Sequence, residues 1–183
     1  MSTPESGPDP RDGSRAPGEE GAKTVLLSRD ELRVHLATML ATGGRQDRPV
    51  ALILLDLDGF ESISTGLGEH VSEAVLRQIS DRLRSTVRQS DFVGHVGGDL
   101  FAILCDHTGI EASGRIAERV LALTRRSLDA VPTHFRLRTS IGLAAFEPAS
   151  ASRPTAEGII AQAEAALDES RRGGRDRITA VTL

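Results

Sequence analysis

Tryptophan and tyrosine are missing from this chain of 183 residues, which leaves five phenylalanines as its only large aromatic side chains. The core must be filled by Leu, Ile, Val and Ala with a few Phe, and nothing points to stacking of bases on aromatic side chains. One cysteine, Cys105, excludes a disulfide framework and fits a reducing cytoplasm; set in an apolar run, it reads as a small core residue and not a nucleophile. No apolar run is long enough to cross a bilayer. Ser, Pro, Glu and Asp stand where a secretory signal would be basic and then apolar, so we expect a cytoplasmic protein with no membrane segment. A formal net charge of -4 speaks against binding a nucleic acid polymer. Local arginines can still hold a small phosphate ligand.

What is present falls into two parts. Residues 1–22 carry Pro, Gly, Ser and acids with scarcely an apolar side chain. Such a segment cannot offset its ordering entropy, so it reads as a disordered leader ahead of one body over 23–183. Ser28 and Glu31 form a capping-box pattern opening a helix with Leu32, Leu36, Met39 and Leu40 on one side. The run VALILLDLD, Val50 to Asp58, is apolar until its acids, as in a strand buried on both faces whose carboxyl end reaches a site. Gly66-x-Gly68 reads as a loop, and Val71, Val75, Ile79, Leu83 and Val87 mark an amphipathic helix.

DFVGHV and LFAILC flank GGD as the two strands of a hairpin, with His95 facing either core or solvent. Ile116, Val120 and Leu123 mark a further helix, and FRLRTSIGLAAF alternates as a strand. Thr155 to Arg172 gives a last helix closed by Gly173 and Gly174, and RITAVTL completes the order as a strand. The fold class is α+β: a ferredoxin-like β-α-β-β-α-β core with added elements, helices covering one face of a mostly antiparallel sheet.

Four pieces in order, LLDLDGF, GGDLF, SIGLA and SRRGGR, make the span from Thr24 to Leu183 resemble the GGDEF domain of diguanylate cyclases. That resemblance implies a nucleotidyl-cyclase fold, GTP and cyclic di-GMP as ligands, Mg²⁺ as cofactor, a head-to-head homodimer, and an effector protein that reads the signal. Asp56 and Asp99 match the family's metal positions, with the backbone carbonyl of Leu57 between them, a hard-oxygen set suited to Mg²⁺. Gly97 and Gly98 match the turn that lets backbone approach phosphate, although a tight hairpin alone would also select glycine. Arg171 and Arg175 match a Lys and an Arg that reach the β- and γ-phosphates, and either also suits a helix end. Phe60, Ser64 and Glu73 fall on substrate-binding positions. Arg88 and Asp91, in RQSD, match the product-binding inhibitory site, where Arg can fork onto guanine and Asp can accept from it. The second R-x-x-D, Arg126 to Asp129, lacks that position in the chain.

The departures cluster. Leu100 replaces the signature glutamate that the family needs for turnover, and an alkyl chain neither binds metal nor helps remove a proton from the attacking 3′-hydroxyl. A positioned acid-base group contributes about 10²–10⁴-fold in rate. Ser64 stands for Asn and Glu73 for Asp in the base-reading pair, and KTVLLSR, Lys23 to Arg29, keeps little of the opening motif. The resemblance therefore implies a degenerate GGDEF domain that binds GTP or cyclic di-GMP with impaired catalysis by Asp99 and its neighbours. Its alternatives are a working diguanylate cyclase and an interaction module without nucleotide.

Overall fold

The computed structural model describes residues 26–43, 48–132, 135, 137–148 and 154–183; the expected leader lies outside them. The elements in order are α1 (Arg29–Gly43), β1 (Val50–Asp58), α2 (Phe60–Leu67), α3 (Glu69–Thr86), β2 (Phe92–Gly97), β3 (Leu100–Asp106), α4 (Ile110–Thr124), β4 (Arg138–Phe146), α5 (Ala156–Arg172) and β5 (Ile178–Thr182). Five strands form one sheet in the order β2-β3-β1-β4-β5. β1 runs antiparallel to β3 and β4, and only the β4–β5 pair is parallel. The α+β core with its added elements is as expected.

The covering of that sheet differs in one respect. Ala51, Ile53, Leu55 and Leu57 of β1 pack with Val75, Ile79 and Leu83 of α3 and Ile116, Ala117 and Val120 of α4. Val50, Leu52 and Leu54 point the other way, into Leu32 and Leu36 of α1 and Ile159, Ala163 and Leu167 of α5. Helices therefore cover both faces, not one. The cause is in β1 itself: side chains alternate across a strand, so a run apolar at every position has two faces to remove from water.

The loop expected at Gly66-x-Gly68 is also corrected. Gly66 lies inside α2, and Gly68, at φ 87, is the break between α2 and α3. Ile63 is buried, which is enough to dock a helix of eight residues that composition alone marks as irregular. At the other end of the fold the capping box forms as expected: the Ser28 N–H and Oγ donate to Glu31 Oε2 at 2.8 and 2.7 Å. These bonds hold the Glu31 carboxyl below the usual range. Cys105 is buried in the α3/α4 core, and burial pushes its thiol pKa far up, so it is an inert filler.

Candidate functional site

The carboxyl end of β1 and the β2–β3 turn meet at one place. Asp56 lies opposite Leu100 in the β1–β3 register, and the Leu57 N–H donates to the Asp99 carbonyl at 3.2 Å. Gly97 and Gly98 make the turn at φ 126 and 56, a backbone shape that side chains disfavour. His95 fixes it from behind: its Nε2 lies 2.8 Å from the Gly98 carbonyl oxygen, and its ring stacks on Phe101. This closure brings two carboxylates from distant sequence together. Burial, and then the charge and hydrogen bonding of Asp56, raise the Asp99 pKa.

Arg171, in the last turn of α5, completes the cluster. Its Nη2 lies 2.7 Å from Asp56 Oδ1 and its Nε donates to Asp56 Oδ2 at 3.1 Å, a two-point fork. The Asp56 hydrogen bond raises the Arg171 pKa further above its ordinary value. Its Nη1 donates to Asp168 Oδ1 at 3.1 Å. Arg175 sits on the next β1 acid, with Nε 3.3 Å from Asp58 Oδ1. Both arginines thus rest on β1 carboxylates.

Asp58 is a residue that the sequence reading missed, although its spacing from Asp56 puts both acids on one strand face. Buried to 9% exposure, it accepts the Ser140 hydroxyl at 2.9 and 3.1 Å and the Asp176 N–H at 3.4 Å. Arg175 and Asp176 both adopt positive φ, 63 and 51. Asp58 holds that costly backbone in place, and the Ser140 hydroxyl in turn holds Asp58.

Leu100 projects onto the α1/α5 face. With Leu32, Leu52, Leu54, Val96 and Ile160 it lines a cavity of about 280 Å³, and Arg29 and Glu164, 3.9 Å apart, stand at its rim. The position that would carry an acid contributes apolar wall instead.

The remaining predicted residues are more dispersed. Phe60 begins α2 and packs against the α3/α4 core. Ser64 is on α2 and its carbonyl accepts from Gly68, while Glu73 on α3 pairs with Arg77 at 3.6 Å. The cavity that Glu73 lines also contains Arg77, Arg84 and His95 but not Ser64.

Arg88 is exposed and lines a cavity of about 510 Å³ together with Arg119 and Arg126, neither of which the sequence reading paired with it. Asp91 turns inward at 2% exposure, and its Oδ2 accepts from the Arg88 N–H at 3.0 Å. Its pKa is raised, chiefly by burial. Asp129, of the second R-x-x-D, is tied to Gln78 at 2.9 Å. Among the described residues no group of three or more His, Cys, Asp and Glu side chains is arranged to hold a metal, and no helix is long and apolar enough to cross a membrane.

Comparison with known proteins identifies the family and the fold. Residues 22–177 match the family described as diguanylate cyclase, GGDEF domain. The chain is 32% identical over 160 residues to the diguanylate cyclase DgcP of Pseudomonas aeruginosa, covering 85% of this chain and 23% of that protein. It therefore spans about a quarter of that relative's length. The GGDEF domain of the Pseudomonas aeruginosa protein YfiN, also called TpbB, superimposes with a TM-score of 0.77 at 26% identity, covering 87% of this chain and 99% of the other. The GGDEF domain of DgcB from Caulobacter crescentus, solved with c-di-GMP, has the same fold, with a TM-score of 0.77 at 24% identity over 86% of this chain and 89% of its own.

Proposed function

This chain belongs to the diguanylate cyclase GGDEF domain family, and from that premise we propose that it is a degenerate member, binding GTP or cyclic di-GMP in second-messenger signalling with its synthetic step impaired. The observation that carries this is the pairing of Asp56 with Asp99 while Leu100, beside them, forms apolar wall. Burial and the nearby Asp56 charge raise the cost of ionising Asp99, and a divalent cation relieves it. The donor set therefore fits Mg²⁺. Asp56, Asp99 and the Leu57 carbonyl would hold it, and when bound it supplies charge neutralisation for the triphosphate.

The chain's own residues divide the remaining work. Gly97 and Gly98 open the turn to phosphate, Arg171 and Arg175 lie within the cluster where phosphate oxygens would arrive, and Phe60, Ser64 and Glu73 are the base-side candidates. Ser64 offers one hydroxyl where an amide would offer both donors and an acceptor, which loosens the choice of guanine. Arg88 is assigned to inhibitory product binding. Asp91, turned inward, supports it by capping the Arg88 N–H.

Synthesis in this family requires the 3′-hydroxyl of one GTP to attack the α-phosphate of another, forming the phosphodiester and expelling pyrophosphate, across a homodimer. Leu100 can take no proton in that step. The same proposal includes a folded body over 23–183, a cytoplasmic setting, and an effector protein that reads nucleotide occupancy.

The test is direct. Purified protein is incubated with GTP and Mg²⁺ and assayed for cyclic di-GMP by chromatography, and both nucleotides are titrated by calorimetry into the wild type, Asp56→Ala and Arg88→Ala. We expect binding of at least one nucleotide, weakened by one of the substitutions, and turnover reduced by about 10²–10⁴-fold relative to active members. Robust product that Asp99→Ala abolishes would establish a working cyclase. No binding of either nucleotide would leave an interaction module.

A further inference from the structure

Arg171 engages the carboxylate that would hold a metal, Asp56. Its fork engages both oxygens of Asp56, at 2.7 and 3.1 Å, so neither is free for a second cation without displacing or sharing the guanidinium. A lysine could not do this, because an ammonium is a point charge on a flexible stem, whereas guanidinium presents a planar pair of donors matched to a carboxylate. Asp168, on the same helix, orients the remaining terminal nitrogen at 3.1 Å. The two partners also differ in access: the Arg171 side chain is 37% exposed and that of Asp56 only 12%. An anion arriving from solvent meets the guanidinium first.

We propose that Arg171 is an internal cation that closes Asp56 to divalent metal until the phosphates of an incoming nucleotide draw its guanidinium away, so that metal and nucleotide bind cooperatively. This rests on the nucleotide-site reading above and adds the order in which the site fills. A divalent ion approaching Asp56 and Asp99 alone is repelled by the guanidinium and must break its two hydrogen bonds. A triphosphate offers Arg171 oxygens that replace those of Asp56, and it brings negative charge to the ion. By linkage, whatever factor nucleotide adds to metal affinity, metal adds to nucleotide affinity.

The experiment uses the full chain and Mn²⁺ as the probe, its free concentration read from its electron paramagnetic resonance signal. Without nucleotide, wild type should bind Mn²⁺ weakly. Arg171→Ala should bind it more tightly, by a factor of about 5–150, the usual span of coupling between sites. Arg171→Lys, which keeps the charge and loses the fork, should fall between. Adding Asp56→Ala to Arg171→Ala should remove the gain, which ties it to this site. In metal-free calorimetry, GTP affinity should drop in Arg171→Ala. If neither Arg171 variant binds Mn²⁺ more tightly, the latch is wrong, even where GTP binds. If the Mn²⁺ gain appears but wild type binds no GTP with or without Mn²⁺, the nucleotide reading fails and release by phosphate falls with it.

Discussion

Asp91 shows how a single buried carboxylate sets a dependence on pH. It has 2% exposure, and its Oδ1 is buried without a well-formed hydrogen bond. Burial raises its pKa above the ordinary 3.8. The native state therefore holds this proton in a range where the unfolded chain has released it, and stability falls as pH rises through that window. Asp91→Asn removes the group, so the gap in urea midpoint between variant and wild type should move in favour of the variant from about pH 4 upward. It should level off once both states of the wild type are ionised. A gap that is flat with pH between about 4 and 7 would contradict this. Leu100 permits a second prediction at the same scale. It lies across from Asp56 in the strand register, so Leu100→Glu brings a third carboxylate beside Asp56 and Asp99 and, on the proposed function, should give detectable cyclic di-GMP by chromatography. The same change buries a charged group against Leu52, Leu54 and Val96, and its urea midpoint should fall. No product would mean that Leu100 is not the sole lesion and that several departures act together.

At the scale of elements, α5 lies so close to β4 that one hydrogen atom decides the contact. A Cβ on Gly142 would press on the Ala163 carbonyl and the Leu167 amide nitrogen and lie 2.8 Å from the Leu167 Cα. Backbone atoms of a helix cannot yield as a side-chain tip can, so Gly142→Ala should cost at least about 1–3 kcal/mol in urea unfolding. Because α5 carries Arg171, the same variant should also weaken GTP binding. The helix start is a milder case: Thr155 caps α5 by accepting the Gly158 N–H at 3.1 Å, and Thr155→Ala should cost about 1 kcal/mol. The start of α5 and the capping box of α1 were legible because each rests on bonds between residues three apart in sequence. α2 was not legible: it has two glycines at or beyond its last turn, and only the docking of Ile63 makes it a helix.

Across the whole molecule, β1 is central, hydrogen-bonded on both edges and packed on both faces, whereas β2 and β5 are the sheet's edges. Native-state hydrogen exchange should therefore be slowest in β1, β3 and β4 and earlier in β5; protection in β5 equal to that in β1 would contradict this order. The sequence by itself determined the strand and most of the helix order, the α+β core and the identity of the acids at Asp56 and Asp99. Those features follow from side-chain periodicity and from residue types at fixed local spacing, which a linear chain displays. Tertiary structure alone decided which helices cover which face, that Arg171 and Arg175 rest on Asp56 and Asp58, and that Arg88 shares a cavity with Arg119 and Arg126. The arginine pairings join groups between about thirty and over a hundred positions apart. Charge and packing act through space, so only the folded path of the backbone sets which arginine meets which carboxylate.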